Sequence, residues 1–168
     1  MNQQHLDYAT YTTWANKRLI ENLSLYDDAL LEKELVGSFP TIRATILHIW
    51  FAETGWLSRL RGSAWETSNV TNFTGSNKEL FAAWQATSLN YQHFVEAADL
   101  EKAIEFRHKG KSYSIPAREI VHTVCNHSSF HRGQIVMMMR QLGITDIAQT
   151  DYIEWVRLKT TNQIKGEL

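Results

Sequence analysis

Between Pro116 and Gly143 the chain reads PAREIVHTVCNHSSFHRGQIVMMMRQLG. Ile120, Val124, His127, His131, Ile135, Met138 and Leu142 recur in it at steps of three and four, the spacing of one face of an α-helix. Proline suits a first helical turn and glycine the position past the last, so this helix is predicted to begin near Pro116 and to end before Gly143. A helix patterned this way must bury its apolar stripe against partners.

The rest of the chain supplies them. Tyr11, Trp14, Ala15, Leu19 and Leu23 follow helical spacing, with Asn16, Lys17, Arg18 and Glu21 between them as a polar side. They define a first helix from about Gln3 to Leu25, followed by a turn at Asp27 and Asp28. A second helix is expected to be capped by Ser38, to hold Pro40 in its first turn and to close at Gly62. It lines up Ile42, Ile46, Ile49, Trp50, Glu53, Leu57 and Leu60. The stretch from Arg61 to Asn77 is polar and reads as a long connection pinned by Trp65 and Phe73. A third helix runs from about Lys78 to Ala98 behind Ser76 or Asn77, with Leu80, Phe81, Trp84, Leu89 and Phe94 as its apolar members. From Lys102 to Ile115 apolar and polar residues alternate around Lys109-Gly110-Lys111, a hairpin too small to hold a core and therefore a flap. A last short helix covers Asp151 to Leu158. The fold class that results is all-α: a four-helix bundle with a short β-hairpin flap and a short C-terminal helix, with residues 1–168 read as one domain.

Composition narrows the function. The 168 residues are 43% hydrophobic and 21% charged, with 8 Gly and 2 Pro, as expected of a folded domain rather than a disordered chain. Seventeen basic against eighteen acidic side chains leave no positive surplus for nucleic-acid phosphates. The single cysteine, Cys125, excludes an internal disulfide framework. The N-terminus lacks a basic-then-apolar signal pattern, and no apolar run approaches the ~18 residues of a membrane span. The expected setting is cytoplasmic, with no membrane and no nucleic-acid partner.

Seven histidines are present, and two of them carry the chemistry. His127 and His131 lie one helical turn apart on the apolar stripe of the last long helix, about 6 Å along its axis, where two imidazoles can chelate one divalent ion. His48 lies in the middle of the second helix. Three inward histidines from two helices can meet in the interior of a bundle, where such proteins build metal sites. The plainer reading is that His127 and His131 are each a core histidine satisfied by a carbonyl or hydroxyl. His122, about 140° around the helix from His127, is not counted as a ligand. His5, His93 and His108 read as solvated surface residues, and Cys125 as a small buried apolar one. Met137, Met138 and Met139 face different ways and read as packing. Asn16 or Glu53 is a candidate for a supporting hydrogen bond or base. Gly133, costly by about 1 kcal/mol in mid-helix, is read as permitting close helix approach.

The run His122-Thr123-Val124-Cys125-Asn126-His127-Ser128-Ser129-Phe130-His131-Arg132-Gly133-Gln134-Ile135 resembles the paired-histidine motif of the DinB family, and His131-Arg132-Gly133-Gln134 is its most telling part. Trp14-Ala15-Asn16-Lys17-Arg18-Leu19 resembles that family's opening helix. His48 in Ile46-Leu47-His48-Ile49-Trp50 matches its first ligand, and Lys109-Gly110-Lys111 resembles its hairpin. The resemblance covers nearly the whole chain. It implies an up-down-down-up bundle with a divalent metal held by His48, His127 and His131, and a homodimer. It also implies thiol chemistry, since several relatives are S-transferases or isomerases that use low-molecular-weight thiols.

Three neutral imidazoles leave coordination positions open, as a catalytic metal requires. Imidazole suits zinc, nickel, copper or iron, with zinc or nickel the leading choice here. The expected function is a metal-dependent enzyme on a small molecule, a thiol S-transferase or else a hydrolase. The alternative is a non-catalytic metal-binding stress-response protein.

Overall fold

The computed structural model describes residues 2–166. In chain order the elements are α1 (Asn2–Leu23), α2 (Asp28–Leu31), α3 (Ile42–Leu60), α4 (Ser68–Thr71), α5 (Asn77–Ala97), β1 (Ala103–His108), β2 (Lys111–Pro116), α6 (Ala117–Gln141) and α7 (Tyr152–Thr160), then a 3-10 turn at Gln163–Gly166.

Local chemistry explains most of the boundaries. Ser76 accepts from the Glu79 amide while the Glu79 carboxylate accepts from the Ser76 amide, a reciprocal cap that starts α5. The start of α3 corrects the expected cap: Thr41, not Ser38, accepts from the Ala44 amide at 3.0 Å, and Pro40 lies just outside the helix. Ser38 is instead bonded by Gln134 of α6. The chain leaves α6 through Gly143 at φ +82°. The polar connection from α3 to α5 contains the one-turn α4, and the turn at Asp27 and Asp28 opens the one-turn α2.

α1 packs against α5 and α6, and α3 against the same two helices, so the cyclic order is α1, α5, α3, α6. Arg43 meets Asn77 and Glu53 meets Ser88, so α3 and α5 run the same way. Thr45 meets Met138 whereas His48 meets His127, so α6 runs against α3. His5 meets His122 and Asn16 meets Arg132, so α6 runs with α1. The bundle is therefore up-down-down-up. The hairpin pairs Ile104 with Ile115 and Phe106 with Tyr113 around Lys109 and Gly110, both at positive φ, a turn whose twist matches that of its strands. No helix among the described residues is long and apolar enough to cross a membrane.

The core has two main apolar clusters with a polar layer between them. One cluster gathers Leu19, Leu23, Ile46, Ile49, Trp84, Ile135 and Met139. The other, toward the hairpin, gathers Ala9, Leu57, Leu60, Tyr91, Ile120 and Val124. Between these groups each long helix contributes a polar residue to a linked layer: Asn16 on α1, Glu53 on α3, Ser88 on α5 and Arg132 on α6, all fully or almost fully buried. Arg132 Nη1 donates to Asn16 Oδ1 at 2.9 Å, Asn16 Nδ2 to Ser88 Oγ at 3.0 Å, and Ser88 Oγ to Glu53 Oε2 at 3.1 Å. Trp84 Nε1 also donates to Glu53 Oε2 at 3.1 Å, and Arg132 Nη2 reaches Tyr11 Oη and Ser129 Oγ. Buried polar groups are tolerable when linked in this way. Asn16, read as outward-facing, thus lies inside, while Leu89, read as an apolar member of α5, is exposed.

Candidate metal centre

α3 and α6 bring His48, His127 and His131 together along their seam. Their ring centroids are 4.9 Å apart for His48 and His127, 4.6 Å for His48 and His131, and 4.4 Å for His127 and His131. One nitrogen from each ring can be chosen so that all three lie within 4.8 Å of one another. Nε2 of His48 and Nε2 of His127 face each other at 3.1 Å. Among the described residues no carboxylate or thiol joins the cluster. The cluster is not central: His131 is buried, but His48 and His127 are only partly so. The expectation of a site in the bundle interior is corrected on this point, because the polar layer fills that place.

The donor set fits a divalent ion. Two nitrogens each about 2.0–2.1 Å from one metal lie about 3 Å apart, close to the separation of the His48 and His127 nitrogens. His131 is held by Gln134 three residues on, whose Oε1 accepts from Nδ1 at 2.7 Å; Gln134 Nε2 in turn donates to Ser38 Oγ at 3.0 Å. That bond places a proton on Nδ1 and turns Nε2 toward the cluster as the nitrogen offered to a metal, the usual way a ligand histidine is oriented. Burial is the main cause pulling His127 down to about 4, with His131 and His48 adding to it. Burial and then His131 lower His48 as well. Both rings are therefore uncharged at neutral pH. Phe39 lies against the His48 ring at 4.4 Å, and Phe130 meets His131 edge-on at 5.1 Å.

The other residues read from sequence fall elsewhere. Asn16 and Glu53 bond to the polar layer and not to the histidines. His122 lies apart, its ring 4.8 Å from that of His5 and tilted by 31°. His5, expected in solvent, is buried by that contact. His93 and His108 are exposed. Cys125 is buried as expected, and burial pushes its thiol up to about 11, so it is no nucleophile at neutral pH. Gly133 gives no close approach: a Cβ built there meets nothing within 4 Å. Gln134, Phe39 and Phe130 carry roles that sequence reasoning did not assign. The i, i+3 spacing of Gln134 from His131 was the available signal for one of them.

Three comparisons bear on this arrangement. A sequence model described as the DinB family matches residues 1–163. Protein DinB of Bacillus subtilis (strain 168) is 24% identical, over 84% of this chain and 87% of its own. The crystal structure of a DinB-like protein from Bacillus cereus ATCC 10987 matches with a TM-score of 0.69 at 21% identity, covering 88% of this chain and 96% of that one, a likeness of fold.

Proposed function

The chain belongs to the DinB family, and from that premise we propose that His48, His127 and His131 hold one divalent metal ion, zinc or nickel, as the centre of an enzyme acting on a small molecule. The observation that carries this reading is the pair of imidazole nitrogens facing each other at 3.1 Å beside a third histidine whose free nitrogen is set by Gln134. Without a metal one of these nitrogens can donate to the other; with both protons on Nδ1 the two lone pairs face a single point that one cation can share.

When bound, the ion supplies Lewis acidity and brings a coordinated water or thiol to deprotonate near neutral pH. The protein's part is to present lone pairs without first shedding protons, which the lowered pKa values of His48 and His127 achieve. Three protein ligands leave room for substrate. Thiol transfer to an electrophile is the reaction we favour, in a cytoplasmic homodimer, with hydrolysis as the second choice.

The test is metal content and thiol-transfer activity of untagged protein, wild type and His127→Ala. We expect about one ion per chain in the wild type, and its loss with retained helicity in the variant. No uptake from excess zinc or nickel overturns the reading. Metal whose removal unfolds the chain, with no turnover of any thiol and electrophile pair, favours a non-catalytic stress protein instead.

A further inference from the structure

His48 and Phe51 are three residues apart and so neighbours on one face of α3. Phe51 also lines a cavity of about 520 Å³ that continues along α3 toward the hairpin, walled by Trp56, Trp65, Phe106, Tyr113 and Arg59. The wall is mostly aromatic, completed by Ile115 and His108 beside Arg59. Trp56 meets Trp65 and Phe106 edge-on at 5.4 and 5.6 Å, and Tyr113 stacks on Phe106 at 5.4 Å. Trp65 reaches this position because residue 55 is glycine: a Cβ there would overlap the indole ring.

Arg59 is the polar feature of this wall that needs explaining. Its guanidinium lies 4.5 Å from the Phe106 ring centre and 5.7 Å from that of Trp65. The hydrogen bond it makes is a long one, from Nη2 to the Arg107 carbonyl at 3.4 Å. Among the described residues no carboxylate lies within ion-pair reach of it. A guanidinium beside aromatic rings keeps its charge and its N–H donors, and those donors match a carboxylate. The hairpin also carries Arg107, Lys109 and Lys111 against one acid, Glu105, a positive surplus beside the cleft although none of the three lines it.

We propose that this cleft is the substrate subsite of the histidine centre and that it takes a flat aromatic anion, an aryl carboxylate in its simplest form. The ring would lie among Trp56, Trp65 and Tyr113, and the carboxylate on the edge of Arg59. That the cleft serves the centre rests on the metal reading above. That it binds such an anion does not.

The experiment is calorimetric titration of chelator-treated protein with 2-naphthoate and with the uncharged 2-naphthalenemethanol. We expect one naphthoate per chain, bound about tenfold or more tighter than the alcohol, with the difference abolished in Arg59→Gln. Tyr113→Ala should weaken both ligands, and Tyr8→Ala, at a separate tyrosine-lined cavity, neither. Equal affinity for acid and alcohol, or an Arg59→Gln variant that binds naphthoate as the wild type does, overturns the proposal. Cobalt-loaded protein tests the link to the centre. Because Trp56 lies about 12 Å along α3 from His48, the probe here is a naphthoate carrying a thiol-ended chain of about ten atoms; a change in the cobalt absorption bands supports the link, and unchanged bands overturn that half alone. Naphthoate binding by a protein that takes up no metal would sink the metal reading and leave the anion cleft standing.

Discussion

His131 and Arg132 are consecutive on α6 yet serve opposite sides of it: His131 lies 4.6 Å from the His48 ring in the α3 seam, and Arg132 donates to Asn16 Oδ1 of α1 at 2.9 Å. The 100° step between successive helical residues is enough to separate a histidine cluster from a core network. The run His131-Arg132-Gly133-Gln134 therefore combines four environments: the cluster, the polar layer, open surface, and the side chain that orients His131.

Gln134 should matter to metal affinity more than to stability. It is partly exposed, and its bond to His131 is what fixes that ring. Gln134→Ala is expected to weaken zinc binding about 10–100-fold, read by competition with a chromophoric chelator, with the unfolding midpoint nearly unchanged.

Arg132 should show the reverse. Arg132→Met removes the donors of Asn16, Tyr11 and Ser129 while roughly keeping the volume. Urea unfolding of the metal-free protein should show a loss of about 2–4 kcal/mol. Arg132→Lys should recover only part of it, because an ammonium cannot reproduce the fork.

Two helical glycines should respond in opposite directions to one methyl group. Gly133→Ala meets nothing within 4 Å and should stabilise by about 1 kcal/mol through helix propensity. Gly55→Ala drives its Cβ into the Trp65 ring and should destabilise by about 1–3 kcal/mol, with a shift in tryptophan fluorescence.

The pH dependence of the metal-free protein has two opposed limbs. Burial pushes Glu53 up to about 7, against the opposing pull of Ser88, Trp84 and Arg132. Between its ordinary value of 4.5 and about 7 the unfolded chain has already lost the proton the folded one keeps. This group therefore makes stability fall as pH rises, by on the order of 3 kcal/mol in all. His127, pulled down to about 4, does the opposite: between 4 and 6.5 the unfolded chain holds the extra proton, so stability rises with pH. His48 acts in the same sense as His127. The limbs overlap from about 4.5 to 6.5, where Glu53 largely offsets His127 and the wild type should keep only the shallow rise due to His48. Glu53→Gln should uncover the histidine limb as a clear rise toward neutral pH. Parallel curves for the two proteins would mean that Glu53 does not titrate in this window.

The long helices were legible because burial alone sets their period: Ile42, Ile46, Ile49 and Leu60 of α3 are all buried, as their spacing requires. His127 and His131 were legible for the same reason, being one turn apart. His48 was less so, since its pairing with α6 spans 79 residues: its mid-helix place made it a candidate, and the family resemblance strengthened the choice. The polar layer defeats pattern reading for a related reason. Asn16 and Ser88 are 72 residues apart and Asn16 and Arg132 are 116 apart, so none of them displays its partner locally. His5 fails in the same way, buried by His122. At the start of α3, Ser38 and Thr41 offer the same hydroxyl chemistry, and only backbone direction decides which one caps. Phe39 reaches His48 from a stretch with no period at all.

The layer of Asn16, Glu53, Ser88 and Arg132 also has a mechanical consequence. Apolar helix faces resist sliding weakly, since a shift by one turn exchanges one greasy contact for another. A slip of α6 by one turn, about 5.4 Å, would strand the Arg132 guanidinium among apolar side chains. The layer thus acts as a detent that stops α6 at a single height. His127 and His131 ride on the same helix, so the residue that holds them level with His48 belongs to the core and takes no part in their cluster.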